Sequence, residues 1–468
     1  MKTLRLTAAA LLALTAGAQA ADMAAKAPYY KVPVTAVYDW TGFYMGVNAG
    51  YGVGRDRLQI NDPITPGSAT STYLQPAGGF GGGQIGYNWQ TGSMFGPLVY
   101  GVEADIQGGE LKDSYPLLNN GAFPLAPQDT YSQKIDWFGT VRGRVGLATG
   151  PVLSYVTGGY AYGNVTTTTT SLGFPALATS RVQGGWTVGS GVEASLGGNW
   201  TGKIEYLYLN LGNKTDQVMV LGTFPQTTTT ELRENLFRVG LNYRIGGNNS
   251  TYVPAPAANW TGWYLGGNVG SGIGRDRTSV SKAGDGLGDL PSYDAFNLAP
   301  DGINGGVQLG YNWQMANWVY GLETDIQASS QRDNKTAIGL GDVPFDAKLP
   351  WFGTVRGRLG YSVGSTLFYA TGGYAYGGVK TKASEDGVVQ LNASTTRSGW
   401  TAGAGIETPF TLLGLFGPSW TSKTEYLYVD LGSTSNLINT TTITTNVSEH
   451  IFRTGLNYHF NSPVVAKY

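Results

Sequence analysis

Long passages of this 468-residue chain are written twice. Asp39–Arg57, DWTGFYMGVNAGYGVGRDR, returns as Asn259–Arg277, NWTGWYLGGNVGSGIGRDR. QIGYNWQ, WFGTVRGRVG, TGGYAYG, EYLYLNLG and FRVGLNY each return in the same order, as QLGYNWQ, WFGTVRGRLG, TGGYAYG, EYLYVDLG and FRTGLNY. Trp40 and Trp260 lie 220 residues apart, Trp89 and Trp313 lie 224, and Trp137 and Trp351 lie 214. Order is kept while spacing drifts by a few residues, so the variable segments fall between the fixed ones. The period is far too long for a solenoid. The fold is therefore two domain-sized copies, or one object assembled from both.

Within a copy the fixed segments alternate with period two, the mark of strands with one apolar face. In VYGVEADIQ, Val102, Ala104 and Ile106 share one side, and Glu103, Asp105 and Gln107 the other. In FRVGLNYRI, Phe237, Val239, Leu241, Tyr243 and Ile245 oppose Arg238, Gly240, Asn242 and Arg244. Eight strands are expected in the first copy, near 41–53, 79–90, 98–109, 134–147, 152–163, 182–195, 200–211 and 233–245. Eight more are expected between 261 and 460. Each is long enough to cross a bilayer as a tilted strand of about 9–11 residues. The connections alternate. Long ones fall at 54–78, 110–133, 164–181 and 212–232, and short ones at 91–97, 148–151 and 196–199. Long loops on one side and tight turns on the other are what an outer-membrane barrel shows.

Tryptophan adds an independent sign, because indole prefers the membrane interface. Trp40, Trp89 and Trp200 sit at strand ends on the short-turn side, and Trp137 and Trp186 on the long-loop side. With Trp260, Trp313, Trp351, Trp400 and Trp420 of the second copy they are expected to form two girdles. The opposite face is then the lumen. It would hold Glu103, Asp105, Glu193 and Glu205 with Arg142, Arg144, Lys203, Arg238 and Arg244. In the second copy it would hold Glu323, Asp325, Glu407 and Glu425 with Arg356, Arg358, Lys423 and Arg453. Charges nearly balance within each copy, and buried charges need partners. Each interior is therefore expected to pair its own charges, since an eight-stranded barrel is just filled by side chains.

The N-terminus MKTLRLTAAALLALTAGAQA has Lys2 and Arg5, an apolar stretch and an Ala-x-Ala site. It reads as a secretory signal at residues 1–20, followed by a periplasmic segment at 21–39. Barrel unit 1 is expected at 40–246, a Pro-containing linker at 247–258, unit 2 at 259–460 and a tail at 461–468. Cys is absent, so disulfides and thiolate metal sites are excluded.

DWTGFYMGVNAGYG, GGQIGYNW, GVEADIQ and LFRVGLNYRI resemble the porin-family outer-membrane β-barrel proteins of alphaproteobacteria, the surface-immunogen type similar to OmpA-like eight-stranded barrels. The resemblance spans nearly the whole mature chain, one family member per copy. It implies an all-β fold: a transmembrane antiparallel up-and-down β-barrel as two tandem eight-stranded units, with one sixteen-stranded barrel as the alternative. It also implies a place in the outer membrane, with outer-membrane lipid, lipopolysaccharide and the barrel-insertion machinery as partners. Family members usually end on the aromatic of the last strand, a signal for insertion. Here NSPVVAKY follows, so Phe460 or Tyr468 must serve.

Little in the sequence carries chemistry. The two histidines, His450 and His459, form no triad or zinc pattern; His459 is expected in the lumen and His450 at the loop edge of the last strand. The glycine run Gly78–Gly86 lacks the Lys-Ser/Thr of a phosphate loop. VGRDR and IGRDR mark the outer end of strand one and offer Arg to phosphates. No catalytic residue, cofactor, metal or nucleic-acid site is expected. The expected role is structural and surface-displaying, with at most weak small-solute permeability; a sixteen-stranded diffusion porin is the alternative.

Overall fold

The computed structural model describes residues 38–61, 69–94, 96–117, 129–171, 175–220, 224–246, 258–282, 290–337, 343–385, 388–410, 416–438 and 441–460. The expected signal, nearly all of the N-terminal segment and the linker, and the C-terminal tail lie outside them. Every regular element is a strand. In the first unit these are β1 (Gly42–Gly54), β2 (Asp56–Asn61), β3 (Ala69–Leu74), β4 (Ala77–Ser93), β5 (Gly96–Leu117), β6 (Asp129–Thr149), β7 (Val152–Ser171), β8 (Leu177–Gly197), β9 (Trp200–Val220) and β10 (Phe224–Ile245). In the second they are β11 (Gly262–Gly274), β12 (Asp276–Lys282), β13 (Leu290–Leu298), β14 (Asp301–Met315), β15 (Trp318–Ala337), β16 (Val343–Val363), β17 (Thr366–Glu385), β18 (Val388–Pro409), β19 (Trp420–Ile438) and β20 (Thr441–His459). Among the described residues no helix is long and apolar enough to cross a membrane.

Each unit closes on itself. β1 pairs antiparallel with β4 on one side and with β10 on the other, with Gly50 opposite Arg238. β11 does the same with β14 and β20. The two sheets stay separate, so there are two eight-stranded barrels and the sixteen-stranded alternative is set aside. The tight turns use the backbone freedom of glycine: Gly150 between β6 and β7 has φ +58°, and Gly198 between β8 and β9 has φ +55°.

One expectation needs correction. The segments taken as long loops are largely strand. β5, β6, β9 and β10 continue far beyond the expected ends, and 54–78 contains the hairpin β2–β3, which pairs onto β10 above the end of β1. These extensions are rich in Thr, Ser and charged residues on both faces. They show no apolar alternation, so the period-two signal ends where the lipid ends, although the ladder of backbone hydrogen bonds does not.

The alternation runs inside out relative to a soluble protein. Met45, Val47, Ile85, Val102, Ile106 and Val141 point outward and are about half exposed, while the charged partners on the same strands are buried. That is the arrangement for a barrel set in lipid, where only closed sheets leave no backbone group unpaired. Glycine makes room within. A Cβ on Gly86 would stand 2.2 Å from the Tyr44 hydroxyl, and one on Gly310 would stand 2.3 Å from that of Tyr264.

Candidate functional site: the filled barrel interiors

The central charges come from successive inward positions of neighbouring strands. β5 supplies Glu103 and Asp105, β6 Arg142 and Arg144, β8 Glu193, β9 Lys203 and Glu205, and β10 Arg238. The register sets Glu103 opposite Arg142, Glu193 opposite Lys203 and Glu205 opposite Arg238. Arg142 donates to Glu103, to Asp105 at 2.9 Å and to Glu205 at 3.1 Å. Arg238 reaches Glu205 and Asp105, the latter at 3.0 Å. Lys203 reaches both oxygens of Glu103 at 2.9 Å. Arg144 pairs with Glu193 at 2.9 Å, and its guanidinium lies over the ring of Tyr44 at 4.6 Å. The hydroxyls of Tyr44 and Tyr155 donate to Glu103 and Glu205, each at 2.8 Å. Every carboxylate thus meets at least two donors, which is what a buried charge requires.

The second barrel repeats the pattern. Arg356 donates to Glu323, to Asp325 at 3.0 Å and to Glu425 at 3.2 Å. Arg453 reaches Glu425 at 2.7 Å and Asp325 at 2.8 Å, Lys423 reaches Glu323 at 2.9 Å, and Arg358 reaches Glu407 at 2.7 Å. His459 faces this lumen, its Nε2 3.3 Å from Glu407. Arg244, at the matching place in the first barrel, stands apart from the central cluster. It donates to the backbone carbonyls of Asp39 and Thr41 and lies over the rings of Tyr38 and Trp40. Without it the first cluster holds four carboxylates against four cations, the same count as the second.

Two tryptophans expected in the girdle are placed otherwise. Trp40 and Trp260 are fully buried. The chain folds into the short-turn mouth before β1, where Trp40 packs with Tyr38, Val99, Ala148, Leu153 and Tyr155. Its Nε1 donates to the Gly150 carbonyl at 3.1 Å, the partner that a buried indole needs. Trp89, Trp200 and Trp313 at the short-turn rim, and Trp186 and Trp400 at the other, are 40–52 % exposed. Trp137, Trp351 and Trp420 are half-buried at their rims. Trp263 and Trp318, overlooked in the sequence reading, join the short-turn girdle.

The sequence reading also missed a layer. Above the charges, on the same inward parity, lie Phe80, Leu111, Phe138, Leu207, Leu209, Leu211 and Leu236, all buried in one cluster. Phe352, Leu427, Val429, Leu431, Val447 and Ile451 form the equivalent layer in the second barrel. In EYLYLNLG both strand faces are largely apolar or aromatic at this height, so alternation marks no separate layer beyond the inward parity of Glu205. Each lumen is thus an aromatic mouth, a charge layer and an apolar seal in series. Outermost in the first barrel, Lys214 donates to the carbonyls of Val165 and Thr179, both at 3.1 Å, and pairs with Asp216 at 3.3 Å. Thr434 takes the place of Lys214 in the second repeat, so this knot belongs to the first barrel alone.

Asp56, in the outer hairpin, is fully buried beside Glu234 and accepts from Gln133 and from the Arg233 amide at 2.6 Å. Burial pushes its carboxyl up to about 8; those hydrogen bonds and the Arg233 charge pull it down, and Asp113 adds a lesser upward push. A folded value above the unfolded one favours the protonated form, so this contribution is full below about pH 4 and is lost as pH rises towards 8. Urea midpoints in lipid vesicles are therefore expected to fall between pH 5 and pH 9, and Asp56→Asn to flatten that dependence. An equal fall in both proteins would refute the assignment.

Among the described residues no cluster of three potential metal ligands occurs. The Arg55 side chain of VGRDR is engaged by Asp301 and Asp333, and Arg57 donates to Ser71 at 3.2 Å.

Comparison with known proteins agrees with this architecture. The family model for the outer membrane protein beta-barrel domain matches twice, at residues 6–244 and 250–460. The 31 kDa outer-membrane immunogenic protein of Brucella melitensis is 37 % identical over 217 residues, covering 45 % of this chain and 88 % of that protein. The 22 kDa outer membrane protein of Rhizobium leguminosarum bv. viciae is 32 % identical over 205 residues, covering 44 % and 80 %. Among solved structures, Neisserial surface protein A aligns at 11 % identity with a TM-score of 0.24, covering 43 % of this chain and 98 % of its own. With both halves matched, the chain belongs to the outer membrane protein β-barrel domain family, carries that domain twice, and is an outer-membrane protein.

Proposed function

We propose that the protein is a non-enzymatic structural and surface-displaying component of the outer membrane, with at most weak permeability to small solutes. The observation that carries this reading is the series of layers across each lumen, ending in the apolar seal around Phe138 and Phe352. An aqueous channel needs a continuous polar path, and larger barrels provide one where eight strands do not. No catalytic pair supports an enzymatic reading: the only ring nitrogens of histidine in the chain face Glu407 and Thr421 in one case and Tyr426 in the other. Outer-membrane lipid and lipopolysaccharide are the proposed surroundings of the barrels, and the insertion machinery their proposed assembly partner.

Single-channel conductance of the refolded mature protein in a planar bilayer tests the reading. Correctly folded protein is expected to leave the bilayer silent or nearly so. A large, stable step of porin size would overturn it.

A further inference from the structure

Lipid-facing residues on these barrels are about half exposed, but one face of each is not. On the first barrel Val152, Val192, Ala194 and Ile204 point outward yet are at most 8 % exposed, and Ile406 of the second barrel packs with them. Nearer the outer rim Val53 and Phe237 of the first barrel cluster with Ile273 of the second, flanked by Tyr51, Tyr206, Tyr426 and Phe452. The two barrels lie side by side, and this seam excludes lipid.

The contacts in the seam come in exchanged pairs. Tyr206 and Tyr426 occupy the same place in the two repeats, as do Phe237 and Phe452, Arg55 and Arg275, and Asp113 and Asp333. Tyr206 stacks on Phe452 with centroids 5.6 Å apart, and Tyr426 meets Phe237 at 5.0 Å. Arg55 pairs with Asp333 at 2.5 Å, and Arg275 faces Asp113 at 3.9 Å. The Tyr206 hydroxyl is held by Asn235 at 2.7 Å, and that of Tyr426 by His450, the residue equivalent to Asn235, also at 2.7 Å. His450, expected at a loop edge, is instead buried in this seam and stacked on Tyr51 at 5.1 Å. Residue i of one barrel touches j of the other, and the equivalent of j touches the equivalent of i. That reciprocity defines a two-fold, isologous interface.

We propose that this face is a self-complementary docking surface of the barrel itself, and that its proper partner is a second copy of the same barrel. The chain is then a tethered pseudo-dimer. Lipid removes any hydrophobic drive between neighbours, so association in a membrane rests on close packing and polar contacts. The ring pairs and the crossed Arg–Asp pairs supply both, and they depend on the two surfaces, not on the connecting segment. The linker only raises the effective concentration of one barrel near the other.

The test uses the full chain with a protease site placed in the linker between Gly246 and Ala258. The protein has no cysteine, so Tyr206→Cys with Phe452→Cys introduces its only two thiols. Phe237→Cys with Tyr426→Cys is a second pair, and the lipid-facing pair Val141→Cys with Val355→Cys is the control. Each protein is folded in lipid vesicles, cleaved, diluted with excess lipid, and treated with a short bis-maleimide. Joining of the halves at the seam pairs is expected to persist within about twofold after cleavage, with none at the control pair. A drop of tenfold or more on cleavage, with full joining before it, would show that the tether alone holds the barrels together. Failure of both seam pairs to join in uncleaved, folded protein would overturn the interface altogether.

Discussion

Replacing Arg142 with Met is expected to cost the first barrel about 3–5 kcal/mol and to leave the second untouched. Met keeps much of the length and volume, so little cavity forms. What disappears is one of the two guanidinium groups, with Arg238, that meet Glu103, Asp105 and Glu205 together. Arg238 still reaches Glu205 and Asp105, and Lys203 still reaches Glu103, but the cluster falls to three cations against four buried carboxylates. Leaving a buried charge uncompensated is far more costly than the small net worth of the intact pair. Arg238→Met is expected to act in the same direction, and Arg356→Met to do the same in the second barrel. Urea unfolding in vesicles, followed by pulse proteolysis of a chain with a cleavable linker, reads the two halves separately. Equal loss in both halves on Arg142→Met would contradict two self-contained networks.

The second large effect concerns the seal. Phe138→Ala is expected to destabilise the first barrel by about 3–5 kcal/mol, the usual range for removing a buried aromatic. Phe138 is 1 % exposed and stands edge-on to Phe80 with centroids 5.2 Å apart. Phe80 cannot close the gap, because its backbone is fixed in the barrel ladder. Conductance is expected to stay low in this variant, since the charge layer lies in series beneath the hole. An open channel from this single change would place the whole barrier at the apolar layer and make the charges below irrelevant to permeation.

How far the sequence carried depended on where alternation was visible. Two tandem barrels, their strand order and their inward charges were legible because the membrane makes one face apolar and the charges mark the other. Where both faces have one character, the signal vanished. Leu207, Leu209 and Leu211 sit among outward Tyr206, Tyr208 and Asn210; the parity of Glu205 points them inward, but with both sets largely apolar or aromatic nothing in that run marks a separate apolar layer. The Thr-rich extensions of β7 and β10 hid their strands for the opposite reason, being polar on both faces. Trp40 was misplaced because position relative to a strand end does not reveal that the preceding chain turns into the mouth. The seam was invisible: Tyr206 and Phe237 look like any other residues of the lipid-facing set until a second barrel covers them.

The strand extensions also explain the uneven spacing between the repeats. From Asn210, opposite Trp186 in the girdle, β9 runs on to Val220, roughly 30 Å of further ladder. Such a hairpin behaves like a telescope. Its foot is clamped by the barrel register, so residues added or removed beyond the foot leave everything below it unchanged. Val53 and Ala77 face each other across 24 residues, and Ile273 and Asp301 across 28. Gly108 and Trp137 are separated by 29, and Ala328 and Trp351 by only 23. The second copy thus has four more residues across its first connection and six fewer across its second, while the feet keep the same register. Drift beyond the clamped feet is therefore mechanically free, and a surface pressed to change can do so repeatedly without disturbing either barrel.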